Sequence, residues 1–163
     1  LVRKPAELHA VDALVIPGGE STTFLKFLER DGFLDQLRDF AHTRPVFGTC
    51  AGAILLAREV TNPPQAGLGA LDIRVCRNAY GRQLESSIRT GQTTLPGGPL
   101  EMVFIRAPRI ERVGDGVEVL ASQGGDPVLV RRGKAMAATF HPELSPDTRV
   151  HAAFLELARN GSG

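Results

Sequence analysis

The sequence Pro45-Val46-Phe47-Gly48-Thr49-Cys50-Ala51-Gly52-Ala53 places a cysteine between an apolar run and a helix-like run over residues 51–57. A strand, a sharp turn and a helix in that order put one side chain at the tip of the bend. Glycines at Gly48 and Gly52 let strand and helix approach closely, as at a nucleophile elbow. The N–H groups that open the helix would face the sulfur and favour the thiolate, the nucleophilic form of cysteine. Far downstream stands Thr139-Phe140-His141-Pro142-Glu143. A thiolate attacks a carbonyl carbon to form a thioester and needs a base to manage protons. His141 is that candidate. Glu143 is two residues on, so in an extended segment both side chains point the same way. Glu143 can then hold the imidazole tautomer and stabilise its cation. Pro142 between them lacks a backbone donor and favours the extended shape.

The tetrahedral intermediate of such chemistry carries an oxyanion that needs donors. The N–H of Ala51, next after the cysteine, is one. The turn Gly18-Gly19 can supply another, although by itself it reads as a plain turn after a strand. Cys76 lies in the strand-like run Leu71-Asp72-Ile73-Arg74-Val75-Cys76 and reads as a small buried hydrophobe. His9, His42 and His151 lack such a His-x-Glu partner; His42 ends a helix and His151 sits within one, and both read as surface or packing residues. Glu20, Arg77 and Arg106 stand beside apolar or glycine-rich segments, and each taken singly reads as a solvated charge.

These side chains need elements to bring them together. Residues 13–16 read as a short buried strand closed by Pro17-Gly18-Gly19. A helix is expected over residues 22–30, with Ser21 as its cap and Gly32 as its stop. Leu34, Leu37, Phe40 and Ala41 continue a second helical face, and residues 61–65 form a loop. From residue 73 to 140 the pattern changes to short strands, expected at 87–89, 102–105, 117–120, 128–130 and 135–140. Residues 150–159 form a closing helix, and residues 160–163 read as a disordered tail. Strands alternating with helices in the first half imply an α/β fold with a parallel sheet, and sites in such sheets lie at the carboxyl ends of the strands. Gly18-Gly19, Cys50 and His141 all follow strand-like runs, so one sheet edge can collect them.

With 163 residues, 42% of them hydrophobic and 23% charged, the chain reads as one globular domain over residues 1–163. The formal charge of +1 gives no case for nucleic acid or an anionic membrane surface as partner. No apolar stretch approaches the ~20 residues of a membrane-spanning helix. Two cysteines in unlike contexts form no disulfide framework, which points to a reducing, cytoplasmic setting. Thioester chemistry calls for no metal and no organic cofactor.

Five segments in order resemble the class I, triad-type glutamine amidotransferases, and most closely the glutaminase subunits of pyridoxal 5'-phosphate synthases. They are Pro17-Gly18-Gly19-Glu20-Ser21-Thr22-Thr23, Phe47-Gly48-Thr49-Cys50-Ala51-Gly52, Arg77-Asn78-Ala79-Tyr80-Gly81-Arg82-Gln83, Phe104-Ile105-Arg106-Ala107-Pro108 and Phe140-His141-Pro142-Glu143. The resemblance covers nearly the whole chain. It implies a flavodoxin-like, mostly parallel sheet flanked by helices with added antiparallel strands. It implies hydrolysis of L-glutamine to glutamate and ammonia by a Cys50-His141-Glu143 triad. It makes Gly19, Glu20, Ser21, Arg77, Ile105 and Arg106 the glutamine-binding positions, with Gly19 and Ala51 as backbone oxyanion donors. The implied partner is a (β/α)₈-barrel synthase subunit that uses the ammonia to build pyridoxal 5'-phosphate. Members of this family usually begin with a further strand, turn and helix, so roughly one βα unit of ~30 residues is expected ahead of Leu1. A glutaminase serving another synthase, and a non-catalytic or truncated interaction subunit, are the alternatives.

Overall fold

The structure is a computed structural model that describes residues 1–79 and 86–161. The strands are β1 (Leu14–Ile16), β2 (Val46–Thr49), β3 (Ala57–Thr61), β4 (Leu71–Cys76), β5 (Ser86–Thr93), β6 (Leu100–Ile105), β7 (Arg109–Val113), β8 (Glu118–Gln123), β9 (Asp126–Arg132) and β10 (Ala135–Ala138). The α-helices are α1 (Ser21–Leu28), α2 (Phe33–Thr43), α3 (Ala51–Leu56) and α4 (Arg149–Asn160).

Seven strands form one sheet in the order β1-β2-β10-β9-β8-β5-β6, and β3-β4-β7 form a second. β1, β2 and β10 are mutually parallel, with Ile16 opposite Gly48 and Ala138 opposite Thr49. Their carboxyl ends therefore lie at one edge. From β10 onward, through β9, β8, β5 and β6, every pairing is antiparallel. The expected α/β architecture is present, but its sheet is mixed: the parallel core is three strands wide, and hairpins extend it.

Alternation along the central strands sorts side chains onto two faces. Val46, Ala135 and Ala137 join Leu25 and Leu28 of α1, Leu37 and Phe40 of α2, and Ala53 and Leu56 of α3 in one core. Phe47, Met136 and Ala138 join Val150 and Phe154 of α4 in the other. Each fully buried Val, Leu, Phe or Met side chain among them contributes about 1.5–3 kcal/mol of transfer free energy. β2 is buried along its whole length, as a central parallel strand requires.

Four elements differ from expectation. β3 and β7 join β4 in the second sheet, and neither was anticipated; β3 follows directly where α3 stops. Both carry adjacent charged pairs, Arg58-Glu59 in β3 and Glu111-Arg112 in β7, which break the apolar alternation and mask a strand in a hydropathy reading. The cap of α1 is Glu20 and not Ser21: its carboxylate accepts from the N–H groups of Thr22 and Thr23, while Ser21 is buried. Asn160 completes the last turn of α4 and Gly161 caps it, so the ordered chain runs further than the expected tail allows.

Candidate active site

Cys50 stands at the bend between β2 and α3, at φ 50° and ψ −106°. Non-glycine residues rarely hold a positive φ, and strain of this kind clusters at functional sites. The surrounding contacts impose it. The Cys50 N–H donates to the Ala138 carbonyl at 2.8 Å, which ties the bend to the end of β10. A β-carbon on Gly48 would lie 2.4 Å from the Gly52 carbonyl oxygen, and one on Gly52 would lie 2.1 Å from that of Ile16. Both glycines are thus demanded by backbone passing backbone, as their spacing in the sequence suggests.

His141 reaches the same point from β10. Its N–H donates to the Val103 carbonyl of β6 at 2.8 Å, and Phe140 packs edge-on against Phe104 with ring centres 5.9 Å apart. The curled sheet brings β6, its last strand, back to the end of β10. It also carries Ile105 to the cysteine, whose thiol donates to the Ile105 carbonyl at 3.8 Å.

Gly18 separates the two reactive side chains. A β-carbon there would sit 3.3 Å from Cβ of Cys50, 2.6 Å from Cε1 of His141 and 3.4 Å from its Nδ1. The Cys50 β-carbon and the imidazole Cε1 are therefore within about 6 Å of each other. Nδ1 of His141 meets Oε1 of Glu143 at 2.7 Å. That leaves Nε2 as the ring nitrogen available to the thiol. The route to this pair is not the extended segment expected. His141 has ψ 87° and Pro142–Leu144 turn as a 3₁₀ helix. Proline fits the first position of a helical turn, where its missing N–H costs nothing.

The thiol itself departs from expectation. Cys50 is 8% exposed, and that burial pushes its pKa above the ordinary thiol value. The negative charge of Glu143 adds to the rise. The Ala51 N–H acts on the sulfur in the opposite sense and is outweighed. The N-terminus of the short helix α3 does not reverse that desolvation.

The glycine-rich turn after β1 flanks the elbow. Gly19 has φ 153°, a region that glycine occupies freely and other residues do not. Glu20 binds the N–H groups of Thr22 (3.0 Å) and Thr23 (2.6 Å) and the Thr23 hydroxyl (2.6 Å). These bonds pull its carboxyl pKa from 4.5 down to about 2, the Thr23 hydroxyl contributing most. The buried Ser21 hydroxyl donates to Oε1 of Gln65 at 3.3 Å. Gln65 lies in the loop expected over residues 61–65, where no local signal marks it as a contact of residue 21.

Arg77 follows β4 in the second sheet, yet its guanidinium reaches α1. Nη2 donates to the Thr22 hydroxyl at 2.8 Å and lies 3.6 Å from Oε1 of Glu20. Arg106 follows Ile105 at φ 45°, a second strained position beside the cysteine. Tyr80, Gly81, Arg82 and Gln83 lie outside the described residues. A cleft of about 430 Å³ is lined by Pro17, Gly18, Gly19, Glu20, Thr23, Phe24, Phe27 and Ala51. It shares Ala51 with the elbow and Gly18 and Gly19 with the flanking turn, but does not include Cys50, His141 or Arg77. Among the described residues no three His, Cys, Asp or Glu side chains are grouped to hold a metal ion. No helix among them is long and apolar enough to cross a membrane.

The curled mixed sheet flanked by helices matches a solved structure of a glutamine amidotransferase. That structure matches at 49% identity with a TM-score of 0.89, covering 97% of this chain and 85% of the other. The model of the SNO glutamine amidotransferase family matches residues 1–160, and the chain belongs to that family. Among curated relatives, the pyridoxal 5'-phosphate synthase subunit PdxT of Koribacter versatilis (strain Ellin345) is 65% identical over 162 residues, covering 99% of this chain and 84% of the relative. The PdxT subunit of Solibacter usitatus (strain Ellin6076) is 53% identical over 161 residues, covering 94% and 83%.

Proposed function

We propose that this chain is the glutaminase subunit of a pyridoxal 5'-phosphate synthase. It hydrolyses L-glutamine to L-glutamate and ammonia and hands the ammonia to a (β/α)₈-barrel synthase subunit in the cytoplasm. Residues 1–163 act as one amidotransferase domain. Family membership and relatives named as synthase subunits support the reaction. The observation that carries the site is the meeting of Cys50 and His141 across Gly18, with Glu143 on the far side of the imidazole.

The chemistry follows from that order. His141 Nε2 takes the Cys50 proton, and the thiolate attacks the side-chain amide carbon of glutamine. The oxyanion is held by the N–H groups of Ala51 and Gly19. His141 then gives its proton to the leaving nitrogen, the C–N bond breaks, and ammonia departs from a Cys50 thioester. A water molecule, deprotonated by His141, attacks the thioester; the C–S bond breaks and glutamate leaves with Cys50 reprotonated. Glu143 keeps the proton-bearing nitrogen at Nδ1 and stabilises the imidazolium between steps. Arg77 and Arg106 are cationic partners for the carboxylate of a free amino acid. Gly19, Glu20, Ser21 and Ile105 line its path to the thiol. By its resemblance to these glutaminases the free chain is weak, and docking of the synthase raises its activity.

Labelling tests the reading. A chloroketone analogue of glutamine adds one equivalent at Cys50 and spares Cys76, faster when the synthase subunit is present. Equal, slow labelling of both cysteines would favour the alternative of a non-catalytic interaction subunit. Ammonia delivered equally well to an unrelated synthase would favour a glutaminase of another pathway.

A further inference from the structure

The guanidinium of Arg77 is fixed from two directions. Its main chain is tied to the end of β3: the Arg77 N–H donates to the Thr61 carbonyl at 3.1 Å. The side chains of Asn62 and Asn78 each donate to the other's carbonyl, at 3.3 and 2.9 Å. The side chain crosses to α1, where Nη2 donates to the Thr22 hydroxyl at 2.8 Å. Thr22 follows β1 of the seven-stranded sheet, and Arg77 follows β4 of the three-stranded sheet. This bond therefore joins the two sheets through side chains 55 residues apart.

Glu20 is the weaker of the two holds on Arg77. Its carboxylate is 59% exposed, sits 3.6 Å from Nη2 and already accepts three bonds from Thr22 and Thr23. Solvent screens a pair of that kind. The Thr22 hydroxyl is closer, and Arg77 is only 14% exposed, so little water replaces the bond if it is lost. Both contacts fall on Nη2. A guanidinium carries five N–H donors in a planar fork, and fixing one corner sets the plane in which the other edge offers two parallel bonds to a carboxylate.

We propose that Thr22 is a positioning residue for recognition of the substrate's α-carboxylate: its hydroxyl orients the Arg77 fork. This inference rests on the assignment of Arg77 as a glutamine-binding residue. Thr22 touches no reacting atom, so its loss weakens substrate binding and leaves the chemical step alone.

The test is glutamine-dependent ammonia release by the complete complex with its synthase subunit. Thr22→Val keeps the shape and removes the hydroxyl. It is expected to raise KM for L-glutamine about tenfold with kcat within about twofold, the split that marks lost ground-state binding. Thr22→Ser, which keeps the hydroxyl, restores KM to within about threefold of wild type. In an Arg77→Met background, Thr22→Val adds no further loss, because the two residues act as one unit. An unchanged KM in Thr22→Val, or an equal KM rise in the Arg77→Met background, overturns the proposal. A wild-type complex that releases no ammonia overturns the glutaminase reading itself, which separates the two failures.

Discussion

Gly18 and His141 are packed so closely that a methyl group on Gly18 would lie 2.6 Å from Cε1 of the imidazole. Gly18 is not at a positive φ, so contact and not backbone strain sets this requirement. Gly18→Ala is predicted to fold, at a stability cost of about 1–3 kcal/mol from overpacking. The ring must swing away from Cys50 to make room. Ammonia release is predicted to fall at least ~100-fold, as a displaced general base implies. Kinetics beside a urea melt check both parts, and a folded Gly18→Ala protein with wild-type turnover would refute the assignment of His141.

The elbow glycines predict the opposite balance. A β-carbon on Gly52 meets the Ile16 carbonyl at 2.1 Å, and one on Gly48 meets that of Gly52 at 2.4 Å. Both obstacles are backbone and cannot rotate aside. Gly52→Ala and Gly48→Ala should each destabilise by at least the upper end of the about 1–3 kcal/mol typical of overpacking. A lowered urea midpoint, or loss of soluble protein, is the expected result.

Glu20 should titrate far below an ordinary carboxyl. Its folded value of about 2 lies under its ordinary 4.5 because the Thr23 hydroxyl and the N–H groups of Thr22 and Thr23 bind the charged form. A depressed folded value means that its contribution to stability is complete above 4.5 and is lost as pH falls through about 2. A carbon-detected NMR titration of the Glu20 carboxyl reads this directly. A midpoint near 4.5 would show that the cap of α1 is not made in solution.

Cys50 should shift the other way. Burial, reinforced by Glu143, keeps its proton in the folded chain beyond the ordinary value of 9.0. The folded thiol binds its proton more tightly than the unfolded one. Its contribution to stability is therefore complete below 9.0 and is lost as pH rises through the folded value. Alkylation of Cys50 by iodoacetamide in the free chain should have its midpoint above 9.0. A midpoint well below 9.0 in the free chain would contradict the burial account.

Local sequence was enough for the parts whose signal is local. The apolar run 13–16, the Gly48-Cys50-Gly52 spacing and the amphipathic closing helix each declare an element, and the structure has β1, the elbow and α4 there. The convergence of Gly18, Cys50 and His141 was also legible, because parallel strands place their carboxyl ends together. Other features depend on partners distant in sequence. The thiol of Cys50 is desolvated by a β6 segment that returns only because the sheet curls. Thr22 and Arg77 meet through two sheets whose separate existence no composition reveals. β3 and β7 were hidden because adjacent charges, Arg58-Glu59 and Glu111-Arg112, break the apolar alternation that marks β4. The 3₁₀ turn at Pro142 shows that spacing alone leaves backbone shape open: two residues apart suits a strand, yet a turn brings Nδ1 and Oε1 to 2.7 Å.

The central claim is that Cys50 turns over glutamine with His141 as its base. Its most direct test is ammonia release from L-glutamine by the wild-type chain, Cys50→Ala and His141→Asn, each with and without the synthase subunit. Turnover that requires the synthase and disappears in both variants, while both stay folded, is the predicted result. Turnover that survives Cys50→Ala would contradict the account.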